Sequence, residues 1–140
     1  MKDPFKQHGA FSWFELMTTD TEGAKDFYSK LFGWDTEGMP MEGMNYTVVK
    51  VGEDAVGGIM PIPPQAEGTP PNWGGYVTVD DVDATARKAE ELGAKILVPL
   101  TDIPDVGRFF VLQDPQGAVI SAITYAIDER KKFRTTNEGR

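Results

Sequence analysis

The 140-residue chain contains no cysteine and one histidine, His8. Disulfides and thiol nucleophiles are excluded, as is a metal centre built from thiolates or from several imidazoles. No apolar run approaches the roughly 18 residues that a membrane-spanning helix needs. The opening "MKDPFKQHGAF" lacks the apolar core of a secretory signal, so a cytoplasmic location is expected. Basic charge is also scarce: 14 Lys and Arg stand against 22 Asp and Glu, for a net charge of −8. The tail "DERKKFRTTNEGR" (128–140) holds five basic and three acidic residues, which leaves the body through Ile127 at −10. Nucleic-acid binding needs Lys and Arg clustered on one face, so no nucleic-acid partner is expected, and no membrane partner either. No phosphate loop, nucleotide fingerprint or Ser–His–Asp set is present.

What the chain does contain is an ordinary globular composition, 40% apolar and 26% charged, enough for one core. One domain over 1–127 is expected, followed by a basic, mobile tail over 128–140. "TEGAKDFYSKLFGW" places Ala24, Phe27, Tyr28, Leu31 and Phe32 on one stripe, which predicts an amphipathic helix. Asp20 is its expected N-cap and Gly33 its stop. "DDVDATARKAEELGA" repeats the design with Val82, Ala86, Ala89 and Leu92, between Asp81 as cap and Gly93 as stop. Strand-like runs precede each helix ("FSWFELM", "GGYVTV") and follow it ("MNYTVVKV" and "AVGGIMPI"; "KILVP", "RFFVLQD" and "AVISAITY"). "WDTEG" is a further short strand candidate.

Asp20 laid on Asp81 aligns the halves with an offset of 61, which also brings Leu31 onto Leu92. A βαβββ unit is therefore used twice: module one over 9–62 and module two over 73–125. The connector "PIPPQAEGTPPN" (61–72) holds five of the ten prolines and reads as extended and semi-rigid. "DPQG" at 114–117 suits a type I turn joining the last two strands.

The paired βαβββ plan, the "D…AKDFYSKLFGW" and "VDDVDATARKAEELGA" helices and the "DPQGAVI" hairpin together resemble the vicinal oxygen chelate superfamily of glyoxalases, bleomycin-resistance proteins and extradiol dioxygenases. The resemblance covers residues 9–125. It implies an α+β fold in which two tandem βαβββ modules form a curved, partly closed sheet around a central cavity. It also implies that homodimers are common, although the sequence leaves open whether modules pair within the chain or across a dimer.

In metal-dependent members of that superfamily, four cavity positions carry His, Glu or Gln. Carried over by motif, those positions fall on Trp13, Gly58, Gly74 and Ser121. Trp and Gly offer no ligand and Ser is a poor one, whereas catalytic divalent metals take three or more imidazole, carboxylate or thiolate donors. His8 lies before the first strand, outside the repeat. No metal and no cofactor are therefore expected.

Residues two apart on a strand share a face. The faces that hold these four positions gather Phe11, Trp13, Glu15 and Met17; Val56, Gly58 and Met60; Gly74, Tyr76 and Thr78; and Val119, Ser121 and Ile123. The opposite faces, with Phe14 and Leu16, Ala55 and Ile59, Val77 and Val79, and Ile120 and Ala122, suit packing under helices. A face of aromatics, glycines and few polar groups has the character of a small-molecule pocket. Candidate ligand-binding residues are Trp13, Gly58, Met60, Gly74, Tyr76, Thr78, Arg108 and Ser121. Each has a structural alternative: Trp13 as core filler, the glycine pairs as bulges or close approaches, and Trp73 as an anchor rather than a rim aromatic.

Glu15 is the candidate catalytic residue. A carboxylate between Trp, Phe and Leu loses hydration and needs a partner. Lys50 or Arg108 could supply a structural pair, or Glu15 could act as acceptor or general base toward a ligand. Arg108 could fork onto a ligand carboxylate if it faces inward. The leading expectation is a metal-free protein that binds a small, partly aromatic molecule in an apolar cavity. The alternative is a lyase, isomerase or dioxygenase using a displaced metal or Glu15 as acid/base, and a dimerisation module is a third.

Overall fold

The structure, a computed structural model, describes residues 3–41 and 44–126; the basic tail over 128–140 lies outside them. The chain divides into two compact units, one built on Trp13–Gly74 and the other on the residues from Gly75 onward together with the N-terminal segment through Ser12.

The first unit follows the expected order: β1 (Phe11–Thr18), α1 (Thr21–Phe32), β2 (Asp35–Met41), β3 (Met44–Val51) and β4 (Asp54–Pro61). The strands lie in the order β2-β3-β4-β1. β1 runs parallel to β4, and β2–β3 and β3–β4 are antiparallel. The "WDTEG" candidate is the start of β2. A two-residue connection joins β3 to β4, and Gly52 there adopts φ 63, a conformation that costs glycine little.

α1 begins where Asp20 accepts a hydrogen bond from the Gly23 amide at 2.9 Å and ends at Gly33 with φ 76, each cap satisfying backbone groups the helix leaves open. Its inner side covers a core of Leu16, Val49 and Ile59 through Ala24 and Tyr28, joined by Trp34. The rest of the expected stripe is not core. Phe27, Leu31 and Phe32 are 56%, 56% and 59% exposed, and no residue of α1 is fully buried. The apolar stripe is wider than the strip of sheet beneath it, so only the i, i+4 pair Ala24 and Tyr28 reaches the strands.

A β-bulge revises the face assignment in β4. Val49 pairs with Gly57, but Lys50 pairs with Ala55, so Val56 is an extra residue. Beyond it the alternation reverses. Ala55 shares the face of Lys50 instead of lying under the helix, and Val56 turns to the helix side beside Phe14 and Val49.

The second unit repeats the plan with β5 (Asn72–Thr78), α2 (Val82–Glu91), β6 (Lys95–Ile103), β7 (Gly107–Gln113) and β8 (Val119–Tyr125), in the strand order β5-β8-β7-β6. The two caps share one geometry: Asp20 has φ −139 and ψ 86, Asp81 has φ −139 and ψ 95, and Asp81 accepts from the Ala84 amide. Gly93 stops α2 with φ 98. Val82 and Ala86 of α2 pack on Val79, Phe110 and Ala122, whereas Leu92, expected on that face, is 68% exposed. In the "DPQG" turn the Gly117 amide donates to the Asp114 carbonyl at 2.9 Å, and the Asp114 side chain accepts from the amides of Gln116 and Ala118.

The N-terminal segment is fastened to this unit. Phe5 stacks on Tyr125 with centroids 4.5 Å apart, and the Ser12 hydroxyl lies 2.7 Å from that of Tyr125. His8 Nδ1 accepts from the Asp80 amide. Phe110, with no exposed surface, is the centre of the α2 core. Phe110→Ala is expected to destabilise the protein by roughly 3–5 kcal/mol, through lost burial and the cavity left behind; urea unfolding measures it.

Candidate functional site

The first unit places an indole, a phenol and a carboxylate in series. Trp13 and Glu15, two apart on β1, point to the same side, and Tyr46 reaches them from β3. Trp13 Nε1 donates to the Tyr46 hydroxyl oxygen at 2.8 Å, and that hydroxyl donates to Glu15 Oε2 at 2.7 Å. All three residues are at least nine-tenths buried. The phenol thus supplies polar contact to a carboxylate that burial would otherwise penalise.

Gly58 makes this possible. It pairs with Glu15 on one side and Val48 on the other, and a Cβ there would overlap the Tyr46 phenol. The second unit has the equivalent register, with Tyr76 beside Ser121. Glu15 and Tyr76 differ by the repeat offset of 61, so Gly58 and Ser121 occupy corresponding places. The assignment of Gly58 as counterpart of Ser121 thus agrees with the backbone pairing of each unit.

The donor set in the first unit does not fit a divalent metal. Trp13 and Gly58 bring no ligand atom, and the room beside Gly58 is filled by Tyr46. Among the described residues no three or more His, Cys, Asp or Glu side chains gather as a metal-binding group.

The remaining predicted residues fall as follows. Met60 pairs with Met17 and is half-buried. Gly74 is half-buried, with open space where a side chain would stand. Tyr76 is buried and tilts against Phe109, centroids 6.1 Å apart. Ser121 is buried between Tyr76 and Val111. Thr78 is buried, and its hydroxyl donates to the Pro4 carbonyl at 2.7 Å, fastening the N-terminal segment.

Arg108 forks onto protein carboxylates: Nε donates to Asp83 at 2.8 Å and a terminal nitrogen to Asp102 at 3.1 Å. Its hydrogen bond holds the Asp83 carboxyl below the usual aspartate range, and the two acids raise the pKa of Arg108. The Lys50 ammonium, on a buried side chain, pairs with Glu37, whose own side chain is half exposed. Tyr46, which donates to Glu15 Oε2, is absent from the sequence-based candidates. Its signal was only the β-strand "MNYTVVKV"; its reach depends on strand register and on the missing side chain at Gly58.

Tyr46→Phe removes a donor from Glu15 and an acceptor from Trp13. It is expected to cost about 1–3 kcal/mol, read from denaturant midpoints. For Asp83, whose folded pKa is lowered, the stabilisation is present above the ordinary aspartate range and lost as pH falls through the lowered value. In Arg108→Gln the Asp83 carboxyl should titrate nearer its ordinary value, followed by carboxyl NMR, and this acid-dependent contribution should vanish.

Comparison with known proteins agrees with this architecture. Residues 10–121 match the model of the Glyoxalase/Bleomycin resistance protein/Dioxygenase superfamily. The chain is 41% identical over 117 residues to "Putative glyoxylase CFP32" of Mycobacterium bovis, covering 81% of this chain and 45% of that protein. It is 29% identical over 126 residues to "Anthracycline biosynthesis protein DnrV" of Streptomyces peucetius, covering 81% and 46%. The chain thus spans a little under half the length of these relatives. Among solved structures, a methylmalonyl-CoA epimerase variant of Streptomyces coelicolor bound to 2-nitronate-propionyl-CoA superposes with a TM-score of 0.64 at 17% identity, over 86% of this chain and 99% of that one; this likeness concerns the fold. With a family match over most of its length and the repeated βαβββ unit in both halves, the chain belongs to the glyoxalase/bleomycin resistance protein/dioxygenase superfamily.

Proposed function

We propose that the protein binds a small, partly aromatic molecule without a metal ion, on the sheet face that carries Trp13, Glu15 and Tyr46. The observation that carries this reading is the indole–phenol–carboxylate series itself. Positions where metal-dependent members of the superfamily hold donors have here an indole and a bare backbone, with a phenol in the vacated room. The face joins aromatic rings to a few polar atoms held in fixed directions, the composition of small-molecule sites. Two relatives named for anthracycline biosynthesis support a fused-ring, hydroxyl- or carbonyl-bearing ligand class. Met60 on β4 is a further ligand-binding candidate in the first unit, and Tyr76 and Ser121 are the corresponding pair in the second.

A second reading is catalytic, and the buried Glu15 carboxylate favours it. A carboxylate held by a phenol could take a proton from an acidic C–H or O–H of a bound ligand, with Tyr46 adjusting its basicity through their shared hydrogen bond. The relatives named glyoxylase support an enzyme of this superfamily. Both readings use Glu15, and they differ in whether the ligand is converted.

Thermal-shift measurement with fused-ring hydroxyaromatics is the direct test. A ligand present at 100 times its Kd should add about 2.7 kcal/mol of stability, and product analysis by mass spectrometry distinguishes binding from turnover. Glu15→Gln should abolish the shift while the far-UV circular dichroism stays that of the parent. Stoichiometric metal in the purified protein, or undiminished binding by the Gln variant, would refute the metal-free, Glu15-centred reading.

A further inference from the structure

On the side of the first unit's sheet that carries Trp13, Glu15 and Tyr46 stands a cation that the proposed function leaves unused. The Lys50 side chain is more than nine-tenths buried, and its ammonium pairs with Glu37, whose side chain is half exposed. Among the ion pairs of the described residues, this is the one with a buried cation; His8, Lys25, Lys30 and Arg108 are all partly or largely exposed. An ammonium carries three N–H donors, and among the described residues Glu37 is the one acceptor it meets. Exposed pairs are ordinary surface features. A buried charge held by a single, half-exposed partner calls for a reason.

Strand register gives the ammonium a direction. Lys50 stands across from Asp35 of β2, and Glu37 across from Val48. Directly opposed residues share a side of the sheet, so the exposed Asp35 is the nearer carboxylate by position. The side chain instead leans along the strand to Glu37, into the row of Val48. Val48 pairs with Gly58, and Gly58 with Glu15. One row across four strands therefore runs from the Lys50–Glu37 pair to the Glu15–Tyr46 pair. The backbones of β1 and β3 lie two strand spacings apart, about 9–10 Å, a span that a fused two-ring molecule matches.

We infer that Lys50 receives the carboxylate of an aromatic acid, with Glu37 holding its place until the ligand arrives. The inference rests on the aromatic-ligand reading proposed above and adds the charge that the ligand bears. Glu37 is itself a carboxylate, so the place beside the ammonium already accepts that group. β2 is the outermost strand of the sheet, and from it the half-exposed Glu37 can turn into water. A buried ammonium left without a partner is costly. A neutral ligand thus gains nothing by displacing Glu37, whereas an incoming carboxylate keeps the charge paired. Lys50 is thereby a specificity-determining residue that selects acids over neutral rings of the same shape.

The probes are 6-hydroxy-2-naphthoate, with its hydroxyl and carboxylate at opposite ends of one fused ring system, and its methyl ester, each titrated into the full chain by calorimetry. The acid is expected to bind about 10-fold more tightly than the ester, or better. Lys50→Met keeps an apolar stem and removes the charge, and it should bring the acid down to the affinity of the ester. Glu37→Gln is a separate variant that does not depend on that one folding. It removes the competing anion and should tighten the acid by about 3-fold or more, opposite in sign to the loss that a purely structural pair would give. Circular dichroism checks that each variant keeps the parent fold. Three results would each overturn the inference: equal affinities for acid and ester in the wild-type protein, a Lys50→Met variant that still prefers the acid, or a Glu37→Gln variant that binds the acid no more tightly. Binding of the ester would then keep the aromatic-ligand reading in place, and failure of both probes to bind would overturn both.

Discussion

The hydroxyl of Tyr46 fixes the chemistry of the first unit. It accepts from Trp13 and donates to Glu15, and it can stand there only because position 58 lacks a side chain. Three strands are tied through that one oxygen: β1 supplies the indole and the carboxylate, β3 the phenol, and β4 the gap. A buried carboxylate in an apolar sheet is costly without such a partner. The same contact settles the packing at position 58: the Tyr46 phenol fills the volume that a side chain on β4 would take there.

Around this contact the two units are copies with different contents. Both start a helix from an aspartate in nearly the same backbone conformation, both stop it at a left-handed glycine, and both pair their first and last strands in parallel with matching register. Yet the strand positions that hold Glu15 and Gly58 in one unit hold Tyr76 and Ser121 in the other. Arg108, the cation expected to face a ligand, is spent on Asp83 and Asp102, and Lys50 on Glu37. Both cations are thereby paired with carboxylates of their own unit.

Features set by adjacent residues were legible in the sequence. Asp20 and Asp81 are caps because a carboxylate three residues ahead of a helical amide is a local geometry, and "DPQG" closes its turn within four residues. The repeat offset of 61 holds for the first strand of each unit, where Glu15 and Tyr76 correspond, while their strand partners Gly58 and Ser121 lie 63 apart. Features set by residues far apart were not legible. Tyr46 lies 31 residues from Glu15, and its role depends on how β3 registers on β4. The bulge at Val56 has no signature in "DAVGGIMP" and moved both Ala55 and Val56 to faces that strict alternation denied them. The apolar stripe of α1 was read correctly as a stripe, but sequence cannot say how much of it a sheet will cover, and Phe27, Leu31 and Phe32 stayed outside. Thr78 was legible only as a candidate ligand-binding residue on its strand, and the carbonyl its hydroxyl serves belongs to Pro4, 74 residues away.

The extra residue in β4 has an evolutionary corollary. By spending one position on an unpaired step, the strand lets neighbouring side chains serve opposite sides of a single layer: Val56 toward the helix, Ala55 and Gly58 toward the buried acid. Selection can then remodel the outer aromatic rim without disturbing the inner relay, and the reverse holds too. A scaffold gains from such an insulating kink, because the two sides of the sheet can drift apart without each change having to be compensated across it.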